Sequence, residues 1–181
     1  MSQVPPNDKS ELMKALCSLL ESQLLLPPNH VFIYNQKYDI PSDDGLYAYV
    51  GFQRSIPFAS SRKEENVPAT STSDAFLQEV QTMNVREFYT INLYSRSAAA
   101  RQRNHEIIFA LHSNQCEQLQ ERFAFKMSYL PLSMHDISHI EGAAIINRYQ
   151  LTFSLLRAYT RTRPIEYYSI FTIPPTLIIN A

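Results

Sequence analysis

Tryptophan is absent from the 181-residue chain, glycine occurs three times and cysteine twice. Gly45, Gly51 and Gly142 fit no nucleotide motif, which leaves no Gly-rich loop to cradle a phosphate. Cys17 and Cys116 are far apart and lack CxxC spacing. They read as small buried side chains in a reduced compartment, with no redox centre. No apolar run approaches about 18 residues, so no transmembrane helix is expected. The opening stretch MSQVPPNDKS lacks the charged-then-apolar pattern of a secretion signal, and a soluble protein made in a cytoplasm is expected. Neither sign of charge dominates: 16 Lys and Arg face 17 Asp and Glu, for a net charge of −1. That balance gives no global pull toward nucleic acid or anionic lipid, and leaves open only a local basic patch.

What the chain does have is apolar and aromatic. Hydrophobic residues make up 45% of it, including 11 Tyr and 10 Phe, against 18% charged. This is globular composition, at a length that fits one domain with a sizeable core. Asp8 and Glu11 form a candidate capping box for a helix carrying Leu12, Leu16, Leu19, Leu20 and Gln23 at helical spacing, stopped by Pro27 and Pro28. A short strand is expected at 31–35 and a second, aromatic-rich strand at 46–58 after the turn SDDG. Residues 59–73, ASSRKEENVPATSTS, hold almost no apolar side chain and read as a polar loop.

A long strand then places Met83, Val85, Tyr89, Ile91 and Leu93 on one face, interrupted by Glu87. A helix over 97–112 should bury Ala100, Asn104, Ile107, Ile108 and Leu111. Asn114 and Glu117 offer a second capping box for a short helix with Cys116, Leu119 and Phe123 inward. After a strand at 123–130 comes the clearest alternation in the chain: Tyr149, Leu151, Phe153, Leu155 and Tyr159, with Arg157 on the same face. Residues 165–171 should return beside it across the turn TRTRP. The fold class is α+β: a largely antiparallel β-sheet with helices packed on it, in a single domain over 1–181. The tail 172–181 is expected to be an extended arm. Ile173, Leu177, Ile178 and Ile179 are too apolar for water, while Pro174 and Pro175 bar a helix. Burying four such side chains is worth about 6–10 kcal/mol gross. Ordering ten residues costs a similar amount, so the arm should settle on a ready-made surface such as a neighbouring subunit.

The segment HDISHIEGAAI, 135–145, invites a metal reading. His135, His139 and Gly142 match a metzincin helix, but the general-base Glu is replaced by Asp136 and the third His by Ile145. A zincin needs both imidazoles on one helix face, and no third ligand follows except Glu141 or Glu166 at unsuitable spacing. The plainer account is a single turn with Met134, Ile137 and Ile140 inward, Asp136 and Ser138 as caps, and Gly142 releasing the chain into the next strand. Ser138 with His135, His139 and Asp136 names a hydrolase triad, yet all four crowd into one short segment. The clusters Arg96, Arg101, Arg103 and Arg157, Arg161, Arg163 read as solvated rims more readily than as phosphate sites. His30, His105 and His112 carry no partner pattern. No catalytic, cofactor-binding or metal-ligating residue is assigned, and no cofactor is expected. Glu87 and Arg157, each on an apolar face, should pair across the sheet or across a subunit contact.

The C-terminal half resembles bacteriophage tail-terminator or neck-terminator proteins. The matching residues are Leu119-Gln120-Glu121, Asp136-Ile137-Ser138, Glu141-Gly142, Arg148 and Tyr167-Tyr168, with EFYTINLYSRSAAARQRNHEIIFAL as strand and helix before them. The resemblance covers about 75 to 171 as a whole pattern. It implies a non-enzymatic structural protein of the virion, assembled in the host cytoplasm. Such proteins are homo-oligomeric rings, usually hexamers, that cap the tail tube and join it to the head-side connector. Genomic DNA passes through the channel, and no membrane is involved. The competing expectations are a metal-dependent hydrolase using the HDxxH segment and a monomeric ligand-binding α+β domain.

Overall fold

A computed structural model describes residues 9–34, 43–69, 76–130, 132–141 and 144–165. Helix α1 (Lys9–Gln23) buries Leu12, Leu16, Cys17, Leu19 and Leu20 along one stripe, as its spacing requires. It closes at Leu25, which takes the left-handed conformation (φ 49°), while the Leu26 N–H reaches back to the Glu21 carbonyl at 3.0 Å. Strand β1 (Val31–Ile33) follows the two prolines and runs parallel to β2 (Tyr47–Val67), with Val31 opposite Ala48 and Ile33 opposite Val50. Strand β3 (Phe76–Ser95) precedes helices α2 (Ala99–Leu111) and α3 (Asn114–Arg122). Then come β4 (Phe125–Tyr129), the short β5 (His135–Asp136) and β6 (His139–Glu141), and the long β7 (Ala144–Pro164).

The described strands form a seven-stranded, mostly antiparallel mixed sheet in the order β1-β2-β3-β7-β4, with β5 and β6 paired to β7. The chain divides into two compact units. The first, 1–59 with 83–159, holds the helices and the main core. Here Val85, Tyr89, Ile91 and Leu93 of β3, and Tyr149, Leu151, Phe153 and Leu155 of β7, are buried as their alternation predicts. Most of them join the α1, α2 and α3 leucines, isoleucine, alanines and Cys116 in one cluster. Met83 is the exception on that face and is exposed. The interleaved Tyr47, Tyr49 and Tyr94 form a separate buried cluster with Phe32 against it, because successive side chains of a strand point to opposite faces.

The second unit, 60–82 with 160–181, is described at the strand ends 60–67, 76–82 and 160–164. The expected loop 59–73 is therefore strand through Val67, and the expected turn TRTRP at 160–164 continues β7. Polar cross-strand pairs replace apolar ones here. Arg62 bonds Glu79 at 2.6 Å, and the Gln78 amide donates to Glu65 at 3.4 Å. The Ile165 N–H donates to the Leu77 carbonyl at 2.8 Å. Asp8, residues 70–75, the return strand from 166 onward and the arm 172–181 lie outside the described residues.

Helix α3 begins one residue earlier than its expected capping box. Ser113, not Asn114, is the N-cap, its Oγ accepting from the Cys116 N–H at 3.2 Å. Ser113→Ala should cost about 1 kcal/mol of stability in urea unfolding, the usual value of a lost cap. Asn114→Ala should cost less than half of that; the reverse ranking would restore the box proposed from sequence.

Candidate functional site

The segment that looked like a metal site is strand. His135 pairs with Gln150 and Asp136 with Tyr149; His139 pairs with Ile146 and Ile140 with Ile145. The single-helical-turn expectation is thus corrected: Ile137 and Ile140 are exposed, and Met134 alone of that row packs on the core. Pairing to β7 satisfies the backbone better than one isolated turn would. Between β5 and β6 the chain bends on an Asp136–Ser138 turn. Asp136 Oδ1 accepts from the Ser138 N–H at 2.9 Å and from its hydroxyl at 2.5 Å. Ser138 Oγ in turn accepts from the Arg148 N–H at 2.9 Å, and the Tyr149 hydroxyl donates to Asp136 Oδ2 at 3.2 Å. The hydroxyl of the supposed triad is therefore committed to a turn. His135 and His139 are exposed and sit on two strands, not on one helix face. Among the described residues no group of three or more His, Cys, Asp or Glu is placed to hold a metal.

These bonds give the turn an acid limit. The Ser138 hydroxyl and N–H hold the Asp136 carboxyl below its ordinary range. A depressed folded pKa contributes stability that is complete above the unfolded value, near 3.9, and is lost as pH falls through the lower folded value. The Ser138 and Arg148 amides should hence keep their hydrogen-exchange protection at pH 5 and lose it as pH falls through that lowered value. In Asp136→Asn that protection should be weaker at pH 5 and flat with pH. A wild-type profile as flat as the variant's would show that the carboxylate does not hold the turn.

The arginine clusters separate. Arg103 forks onto Glu106 and donates to the Leu24 carbonyl at 2.5 Å, tying α2 to the end of α1. Arg101, Arg161 and Arg163 are exposed. Arg157, expected with the rim, is buried. It faces Glu87, itself fully buried, with Nη1 3.8 Å from Oε2, so the pair anticipated from the alternation lies within one chain. The Tyr89 and Tyr159 hydroxyls donate to the same carboxylate at 3.0 and 2.6 Å, and Lys9 approaches it at 3.4 Å from the start of α1. Burial and the bond to Glu87 push the Tyr159 phenol up to about 12. Tyr89 is raised for the same reasons, with burial the larger. Both tyrosines thus remain hydroxyl donors at neutral pH and share the Glu87 charge.

A second grouping lies among the residues that alternate with the core face. A cavity of about 210 Å³ is bounded by Tyr34, by Tyr49 and Gly51 of β2, by Thr90 and Asn92 of β3, and by Arg148 of β7. Tyr34 stacks on Tyr49 with ring centroids 5.5 Å apart. Gly51 leaves room for it, since a Cβ there would stand 3.2 Å from that of Tyr34. Arg148 donates Nη2–H to the Tyr49 hydroxyl and, at 3.3 Å, to Asn92 Oδ1. Its guanidinium also lies 5.4 Å from the Tyr49 ring centre. Thr90 is 5% exposed, yet its hydroxyl has no hydrogen-bond partner among the described residues. Sequence reasoning missed Thr90 and Asn92. Their one signal was a run of polar and aromatic side chains at even positions of β3, which reads equally as a solvated face.

No protein-family model matches the chain, and no curated protein sequence matches it.

Proposed function

We propose that this chain is a non-enzymatic structural subunit of a bacteriophage virion: a tail-terminator or neck protein that assembles with copies of itself into a ring. In this reading the ring, usually six-fold, caps the tail tube, joins it to the head-side connector and lets genomic DNA pass. One observation carries most weight, the outer edge of β2. Strand β1 covers it only from Ala48 to Val50, and β1 is the last strand of the order. From Phe52 onward β2 has β3 as its neighbour and, among the described residues, no partner strand on its other side. An open edge is a template for pairing with another chain. Ile56 and Phe58 lie along it, 42% and 57% exposed, as apolar surface a second copy can bury. Pro57, a residue confined to edges within sheets, discourages an indiscriminate ladder there and leaves side-chain fit to choose the partner. Negative-stain electron microscopy of the purified protein should reveal annular particles. A field of uniform particles the size of one chain would count against the reading.

A second reading, the monomeric ligand-binding α+β domain, has the Tyr34–Arg148 cavity in its favour; mass in solution separates it from the ring, while a ligand at that cavity does not by itself require a monomer.

A further inference from the structure

From the buried Thr90 hydroxyl, the Arg148 guanidinium and the aromatic wall that meet at the cavity beside Tyr34, we infer a binding site for a small monocarboxylate. The inference does not depend on ring assembly. Three features of the lining converge on that ligand class. Thr90 Oγ1 is buried at the cavity and unpartnered. A hydroxyl withdrawn from water without a partner is destabilising in the empty protein, and a carboxylate oxygen is the acceptor it lacks. Arg148 is half-buried, and among the described residues its guanidinium donates to the neutral oxygens of Tyr49 and Asn92. Its Nε is buried with no hydrogen-bond partner among the described residues, and among those same residues no Asp or Glu lines the cavity. A partly buried guanidinium with no carboxylate beside it among the described residues favours an incoming anion, and its planar fork matches the two oxygens of a carboxylate.

Charge and size narrow the class further. One arginine offsets one negative charge, so a phosphate dianion would leave a second charge uncompensated beside Tyr34 and Tyr49. The volume, about 210 Å³, lies below the roughly 300–1,000 Å³ of sites for drug-sized ligands. Tyr34, stacked on Tyr49 with ring centroids 5.5 Å apart, supplies an aromatic wall for a flat apolar body attached to the carboxylate.

Benzoate is the probe, with benzamide as its neutral isostere, titrated into the full-length protein and followed by amide NMR shifts. A ligand of about nine non-hydrogen atoms should bind in about the millimolar range, with saturable shifts around Thr90, Asn92 and Arg148. Benzamide should bind about tenfold more weakly or not at all, as should benzoate to Arg148→Gln, because each change removes a charge-assisted bond. Arg148 also braces Tyr49 and Asn92, so Thr90→Val provides the cleaner variant. It deletes only an unpartnered hydroxyl, should melt at or above the wild-type temperature, and should weaken benzoate about three- to tenfold. The inference is overturned by absence of saturable shifts, by benzamide binding as well as benzoate, or by wild-type affinity in a folded Thr90→Val protein.

Discussion

Glu87→Gln should lower the stability of the folded chain by about 3–5 kcal/mol, because it removes the buried carboxylate charge that faces the Arg157 guanidinium. Glu87 is fully buried and accepts from Tyr89 and Tyr159, while Arg157 and Lys9 supply the positive charge around it. The amide keeps the shape and one acceptor oxygen, so the loss reports charge and not volume. Replacing both partners is a different experiment. Glu87→Gln with Arg157→Met removes both charges, and it should recover a good part of the loss, since apolar groups of similar volume often serve as well as a buried pair. The Arg157 to Glu87 distance of 3.8 Å is longer than a hydrogen bond, which places much of the attraction in the field of the site. A double-mutant cycle by urea unfolding should give a coupling above about 0.5 kcal/mol. A smaller coupling would mean that other groups, and not this pairing, compensate the two buried charges.

On the ring proposal, Phe58→Asp should leave single folded chains where the wild type assembles. In the isolated chain Phe58 is more than half exposed, so the substitution should change monomer stability by no more than about 0.5 kcal/mol. At a subunit contact the same change replaces a buried ring with a desolvated charge, and association should weaken about a hundredfold or more. Sizing of wild type and variant at matched concentration, with circular dichroism to confirm the fold, separates the two effects. An unchanged elution position for Phe58→Asp would remove the β2 edge from the assembly contact. Loss of the circular-dichroism signal would show instead that Phe58 supports its own unit.

Periodicity made the first unit legible. Leu12, Leu16, Leu19 and Leu20 repeat at helical spacing, and Tyr89–Leu93 and Leu151–Leu155 alternate; all of them are buried. Glu87 and Arg157 stood out because each breaks an apolar alternation, and that is why their pairing could be anticipated. Residues 60–67 gave no such signal. Both faces of that strand are polar, so nothing in its pattern has a period, and its strand state depends on a β3 partner distant in sequence. The segment 134–141 misled for a related reason. Met134, Ile137 and Ile140 imitate a helical row, whereas the backbone is settled by its ladder with β7, which starts at the local pair Glu141–Ala144 and extends to His135–Gln150. The cavity was the least legible feature. Thr90 and Asn92 look solvated along β3, and only the arrival of Tyr49 and Arg148 from two other strands encloses them. Arg148 itself had been singled out only through the family resemblance. Tyr167 and Tyr168, which carry part of that resemblance, lie outside the described residues.

Native mass spectrometry of the purified full-length chain tests the ring proposal most directly. The proposal predicts a closed oligomer with a single mass, six times that of the 20.9 kDa chain if the usual symmetry holds. That species should be lost in Phe58→Asp. A wild-type protein that stays at the mass of one chain as its concentration is raised would contradict the proposal.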